Sequence, residues 1–147
     1  MPNDKGSPDA ELELALRGRG HRVTPQRLVI NRALRELDRH ASADEVLALV
    51  SDRLPNVSLP TVYATLDLVE DLGLARRVRA GAGAVLYDPR VDEHHHLVCE
   101  RCGRIEDIAP RLDLRPAMRA ATRHGFGSSR ADVVVTGLCP SCAAARR

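Results

Sequence analysis

The chain has 147 residues, a formal net charge of +2, and aromatic side chains only at Tyr63, Tyr87 and Phe126. That length suits one ordinary domain or two small ones, and two half-length cores of Leu, Val, Ile and Ala would each be marginal alone. No apolar run approaches a membrane span, and the polar, charged stretch from Met1 to Gly20 lacks a secretory signal, so a cytoplasmic protein is expected.

Ala10 to Arg19 is the expected first helix, ended near Gly20. Thr24-Pro25 then offers an N-cap followed by proline at the first helical position, and Leu28, Ile30, Ala33, Leu34 and Leu37 continue an apolar side. Ser42-Ala43-Asp44-Glu45 matches the capping box of a third helix, with Val46, Leu47 and Val50 as its inward positions. Leu54-Pro55-Asn56 breaks that helix. Ser58 caps a fourth, where Val62, Leu66, Val69 and Leu72 recur at helical spacing until Gly73. Residues 74–78 and 84–87, flanking Gly81 and Gly83, predict a two-stranded hairpin.

Helices followed by a hairpin is the order of a winged helix-turn-helix. The short break before the fourth helix makes it the candidate recognition helix, presenting Pro60, Thr61, Tyr63 and Ala64. Tyr63 is the informative residue, a rare aromatic off the apolar stripe; the plainer alternative is a tyrosine packed at a helix edge. Upstream, Arg17, Arg19, Arg22, Arg27, Arg32, Arg35 and Arg39 face only Glu36 and Asp38, a local basic stripe or simply a solvated helix face.

The second half begins near Pro89 and is α+β in pattern. A strand is expected at Arg104–Ile108, a helix at Leu114–His124 and a strand at Val133–Thr136. All four cysteines fall in two C-x-x-C clips, Cys99/Cys102 and Cys139/Cys142. Two such clips can close a tetrahedral thiolate shell around one structural Zn(II), stapling the residues between them into a small domain. A pair of disulfides is the alternative, but nothing supports an oxidising compartment. His94-His95-His96 cannot join a full shell and suggests a second metal with harder ligands. One structural and one responsive metal point to a metal-dependent sensor.

These residues resemble the ferric uptake regulator (Fur) superfamily. The matching pieces are residues 22–27 (RVTPQR), 40–45 (HASADE), 58–63 (SLPTVY), 94–103 (HHHLVCERCG) and 137–142 (GLCPSC), in the family's order and spanning nearly the whole chain. Each is weak alone; together they are specific. The resemblance implies a metal-activated transcriptional repressor: an N-terminal winged helix-turn-helix, residues 1–88, followed by a small α/β dimerisation domain, residues 89–147, stapled by the four-cysteine zinc. It implies a homodimer on a palindromic double-stranded operator, with no membrane partner and no small-molecule substrate. Thr61 and Tyr63 would read base edges, and Arg22 resembles a basic residue placed in or near the minor groove.

The family's regulatory ligands fall on His40, Asp88, His94, His96 and Asp107. His94 and His96, two apart, share one side of an extended segment while His95 takes the other. His40 comes from the DNA-binding half, so one metal on all five would lock the two halves in one orientation. Three imidazoles and two carboxylates suit Fe(II) or Mn(II). Both carboxylates are aspartates, which resembles the peroxide-sensing PerR branch and its actinobacterial FurA-like relatives. On that branch, peroxide relieves repression by oxidising ligand histidines; the alternative is a reversible iron-responsive repressor of iron-uptake genes. The zinc branch would need a regulatory cysteine that Val78–Leu86 lack, and the contiguous histidines do not reproduce the nickel pattern. Ala64 stands where a larger polar residue is common, and Ala131 where some relatives place a histidine of a third metal site, so that site is not expected.

Two other classes compete. A metal-dependent hydrolase on the histidines, with Asp107 or Glu106 as base, leaves the helix-turn-helix half unexplained. A zinc-ribbon interaction module would hold one zinc per chain and no exchangeable metal.

Overall fold

Side-chain caps start three of the first four helices. The computed structural model describes residues 6–80, 84–92, 94–127 and 130–145, so the turn glycines Gly81 and Gly83 lie outside the described residues. Helix α1, Pro8–Gly18, begins two residues ahead of the expected Ala10, because Pro8 supplies a first-turn residue with φ already helical. Gly20 leaves it with φ +74°. In α2, Pro25–Leu37, the Thr24 hydroxyl accepts the Arg27 amide at 3.3 Å. In α3, Ala43–Val50, the box is reciprocal: Glu45 N donates to Ser42 Oγ at 3.2 Å and Ser42 N to Glu45 Oε2 at 2.8 Å. In α4, Leu59–Asp71, Ser58 Oγ accepts the Thr61 amide at 3.3 Å, and Gly73 with φ +78° turns the chain out of the helix. Each such cap is worth about 1 kcal/mol.

The chain divides into two units. The first runs up to Arg79 and includes Ala84–Val91; the second comprises Asp92 onward. In the first, Leu12 and Leu16 of α1, Ile30, Ala33 and Leu34 of α2, Val46 and Val50 of α3, and Val62, Leu66 and Val69 of α4 bury almost completely. The hairpin follows as β1, Arg76–Ala80, and β2, Ala84–Asp88. It is tied to the helices by a two-residue bridge, Ala41 N to Tyr87 O at 3.0 Å and Tyr87 N to Ala41 O at 2.8 Å. Four helices and a wing on one core make the winged helix-turn-helix that the sequence predicts.

The basic stripe is not one surface. Arg17 pairs with Glu13, Arg32 with Asp9 and Arg39 with Glu45. Arg35 donates to the carbonyls of Leu74 at 3.1 Å and Pro89 at 3.4 Å and lies 3.6 Å from Glu11. Among the described residues, Arg19, Arg22 and Arg27 make no ion pair, and the Arg27 guanidinium donates to the Arg22 carbonyl. The stripe therefore splits: Arg32 and Arg35 tie α2 to α1, and Arg35 also to the chain on either side of the hairpin, Arg17 and Arg39 pair locally, and Arg19, Arg22 and Arg27 make no ion pair among the described residues.

In the second unit, a three-stranded sheet has the order β4-β3-β5. Strand β3, His95–Cys99, pairs antiparallel with β4, Ile105–Ile108, and parallel with β5, Val134–Gly137. Helix α5, Arg115–Arg123, falls within the expected span, and α6, Pro140–Ala144, is a short helix the sequence pattern did not suggest. No residue of α5 is buried, and Leu112, Phe126, Val134 and Val135 are exposed. Among the described residues, no helix is long and apolar enough to cross a membrane.

Candidate metal centres and DNA-facing helix

The two C-x-x-C clips meet at the end of the second unit's sheet. Cys99 closes β3, and a tight turn through Gly103, whose φ of +74° favours glycine, brings Cys102 back beside it. Gly103 N donates to Cys99 O at 2.9 Å and Cys99 N to Arg104 O at 2.8 Å. Cys139 caps α6 and Cys142 lies within it, so a one-turn helix forms the second clip.

All four cysteines are free thiols whose sulfurs lie within 4.8 Å of one another. Tetrahedral Zn–S bonds of about 2.3 Å place neighbouring sulfurs about 3.8 Å apart. The Cys102 and Cys139 sulfurs are 3.8 Å apart. The backbone amides of Cys102 and Cys139, the latter donating at 3.3 Å, pull the Cys99 thiol down to about 6. Cys142 is pushed up to about 12, first by hydrogen bonding to the Cys139 sulfur and then by burial. Neighbouring thiols resist ionising together, and a divalent cation removes that resistance. The donor set fits a closed zinc shell.

The remaining predicted ligands form two groups, one in each unit. In the first unit, His40 follows α2 and Asp88 ends β2, the residues flanking the Ala41–Tyr87 bridge. That bridge sets His40 Nε2 3.2 Å from Asp88 Oδ2. Asp88 is fully buried. Burial alone would raise its pKa, but the His40 hydrogen bond, the Arg90 amide at 2.9 Å and the Arg90 guanidinium outweigh it and hold the carboxyl well below its usual range.

In the second unit, His96 of β3 is the cross-strand partner of Asp107 on β4, so the sheet register itself sets imidazole against carboxylate. His96 Nε2 lies 3.6 Å and His94 Nε2 3.8 Å from Asp107 Oδ1, and the two rings meet edge-to-face at 4.7 Å. His94 Nδ1 is 2.6 Å from the Asp92 carbonyl, which only accepts, so Nδ1 carries a proton and Nε2 is the ring nitrogen on the Asp107 side that a metal would use. Metal-bound histidines are held in this way, the second ring N–H engaged by a carbonyl. All three side chains are mostly buried. The donor chemistry fits a borderline-to-hard divalent ion.

On α4, Val62, Leu66 and Val69 face the core while Tyr63 is 37% exposed and Ala64 exposed, as the apolar stripe predicts. Thr61 is half-buried, its hydroxyl 3.0 Å from Ser58 Oγ. A polar groove lined by Thr24, Gln26, Arg27, Thr61, Ala64 and Thr65 runs between the starts of α2 and α4. Gln26 and Arg27 lay in the matching family segment without an assigned role; their place on this groove is visible only in three dimensions.

The ferric uptake regulator family model matches residues 18–136. The chain is 33% identical over 148 residues to the peroxide-responsive repressor PerR of Staphylococcus epidermidis, covering 97% of each chain. It is 38% identical over 120 residues to ferric uptake regulation protein 1 of Mycolicibacterium fortuitum, covering 81% of this chain and 74% of that one. The manganese-bound ferric uptake regulator of Pseudomonas aeruginosa superposes with a TM-score of 0.65 at 27% identity, covering 87% of this chain and 97% of that one. These relatives are transcriptional regulators and not enzymes, which makes the chain a metal-responsive transcriptional repressor by family. The chain belongs to the ferric uptake regulator family.

Proposed function

We propose that the protein is a homodimeric repressor whose regulatory metal, Fe(II) or Mn(II), is held jointly by His40, Asp88, His94, His96 and Asp107, and that hydrogen peroxide relieves repression. The winged helix spans residues 1–88 and the dimerisation domain residues 89–147, with zinc on Cys99, Cys102, Cys139 and Cys142. The observation that carries this reading is the pre-set geometry of each donor group: His94 and His96 converge on Asp107 within 3.8 Å, and His40 meets the buried Asp88 at 3.2 Å. The two groups belong to different units, so shared ligation couples metal occupancy to the orientation of the DNA-binding half.

The exposed Leu112, Phe126, Val134 and Val135 of the second unit supply apolar surface for self-association. A two-fold dimer presents two copies of α4 to matching half-sites. Thr61 and Tyr63 then face base edges, and Arg22, exposed and without an ion pair among the described residues, faces the phosphate-lined minor groove.

The all-aspartate carboxylates and the similarity to the staphylococcal peroxide-responsive repressor favour peroxide as the signal. Bound Fe(II) supplies peroxide reduction; Mn(II) does not readily do so. Addition of one oxygen atom to the His40 or His94 imidazole consumes one hydrogen peroxide, releases one water and removes a donor nitrogen. Reversible iron sensing is the second reading, favoured by the similarity to the mycobacterial ferric uptake regulation protein.

The deciding experiment loads zinc-replete protein with Fe(II) or Mn(II), adds dilute peroxide, and follows peptides containing His40 and His94 by mass spectrometry alongside operator binding. Oxygenated histidine with iron only, together with loss of binding, is expected. Intact histidines and unchanged binding with iron would leave reversible iron sensing as the better account.

A further inference from the structure

We propose that His95, the middle histidine, is the residue that positions His94 and His96 for the regulatory metal by clamping β3 to Val133. This rests on the reading of His94, His96 and Asp107 as ligands. His95 is 3% exposed and lies on the face of β3 opposite its neighbours. Its Nδ1 is 3.0 Å from the Val133 amide, which can only donate, so this ring nitrogen carries the lone pair.

The bond falls at the limit of the parallel ladder. Pairing of β3 with β5 begins at His96↔Val134, where His96 N donates to Val133 O at 3.1 Å. One rung further back, a regular parallel ladder would direct the Val133 amide to the His94 carbonyl. The His95 ring takes that amide instead. The Val133 N–H is satisfied while the His94 backbone leaves the strand, and the His94 ring can turn to bond the Asp92 carbonyl with Nδ1 and direct Nε2 toward Asp107. Both backbone groups of Val133 are thus gripped by consecutive residues of β3, and these flank or belong to the ligand pair.

An aliphatic or aromatic residue here would leave the partly buried Val133 amide without its acceptor and free the strand end to fray. Asparagine would not, because its side-chain oxygen sits where Nδ1 sits and accepts from the same amide. Residues that orient metal ligands typically cost tenfold or more in affinity when lost.

The test uses zinc-loaded full-length protein and the variants His95→Ala, His95→Asn and His96→Ala. Val133 amide exchange is followed by NMR, Mn(II) affinity by titration, and zinc content and dimer mass as checks on folding. We expect His95→Ala to speed exchange at Val133 and weaken Mn(II) by about tenfold. His95→Asn should restore both, with zinc and dimer unchanged in each. If His96→Ala weakens Mn(II) and His95→Ala does not, the positioning role is overturned while the ligand assignment stands. If His96→Ala has no effect, the ligand assignment itself fails and the proposal with it. Failure of asparagine to rescue a folded, zinc-loaded protein would likewise overturn the clamp.

Discussion

Tyr87 Oη donates a 2.6 Å hydrogen bond to Asp67 Oδ1, joining the last strand of the wing to the middle of α4. Tyr87 is 1% exposed, and its backbone forms the bridge to Ala41. One residue therefore touches α4 with its side chain and spaces His40 from Asp88 with its main chain. Burial first, and then the bond to Asp67, push the phenol far above its usual pKa, so it remains a donor throughout the accessible pH range. Arg77, 3.7 Å from Asp67 and 2.7 Å from Glu70, completes the network.

Tyr87→Phe keeps the ring in the core and deletes only the hydroxyl. The expected cost is about 1–2 kcal/mol of unfolding free energy, since Asp67 keeps Arg77 and partial access to water. Urea denaturation of wild type and variant at neutral pH measures it. A change within error would mean that the bond is replaced by water without loss.

The zinc staple carries a sharper expectation. Cys99 is the most buried of the four thiols and the one already drawn toward thiolate by backbone amides. Cys99→Ser should lose zinc and, with it, the ordered second unit, because metal bound only by the folded site contributes directly to folding. Zinc content by elemental analysis and mass by light scattering report it together. A folded, dimeric, zinc-loaded variant would sink the assignment.

Much of this organisation was legible in the chain because it is local. An N-cap, a capping box and a C-x-x-C clip each act within four residues, and Thr24, Ser42, Ser58 and both cysteine clips do what their spacing implies. The apolar stripe of α4 likewise placed Tyr63 outward. What escaped the sequence is long-range. Whether an arginine is structural depends on partners such as Asp9 for Arg32 or Leu74 for Arg35, far along the chain. The use of His95 depends on Val133 in another strand. Helix α6 was missed because a single turn around Pro140 and Cys142 has no periodicity to detect.

Tyr63→Ala should leave stability nearly unchanged, because the side chain is more than a third exposed and off the core stripe. Its effect should appear in discrimination. If Tyr63 reads a base edge, the ratio of operator to random-duplex affinity should fall by about 1–3 kcal/mol while binding to random duplex holds. Competition titrations with both duplexes give the ratio. An unchanged ratio would remove Tyr63 from the readout and return it to a helix-edge packing role.

Arg22 and Arg35 provide the strictest test of the divided basic stripe, because composition alone treats them alike. Arg35→Ala removes the donor to the Leu74 and Pro89 carbonyls and the contact with Glu11. It should cost about 1–3 kcal/mol of stability. Its charge is already engaged within the protein, so the salt dependence of DNA binding should keep its slope in the protein that remains folded. Arg22 is exposed and makes no ion pair among the described residues. Arg22→Ala should change stability by no more than about 0.5 kcal/mol yet weaken operator and random duplex together, lowering the slope of log affinity against log salt by about one. Denaturation and salt-titrated binding on the two variants give four numbers that must cross. Equal changes in slope would mean that the stripe acts as a single electrostatic surface, and the contacts that engage Arg35 within the protein would not govern which arginines reach the DNA.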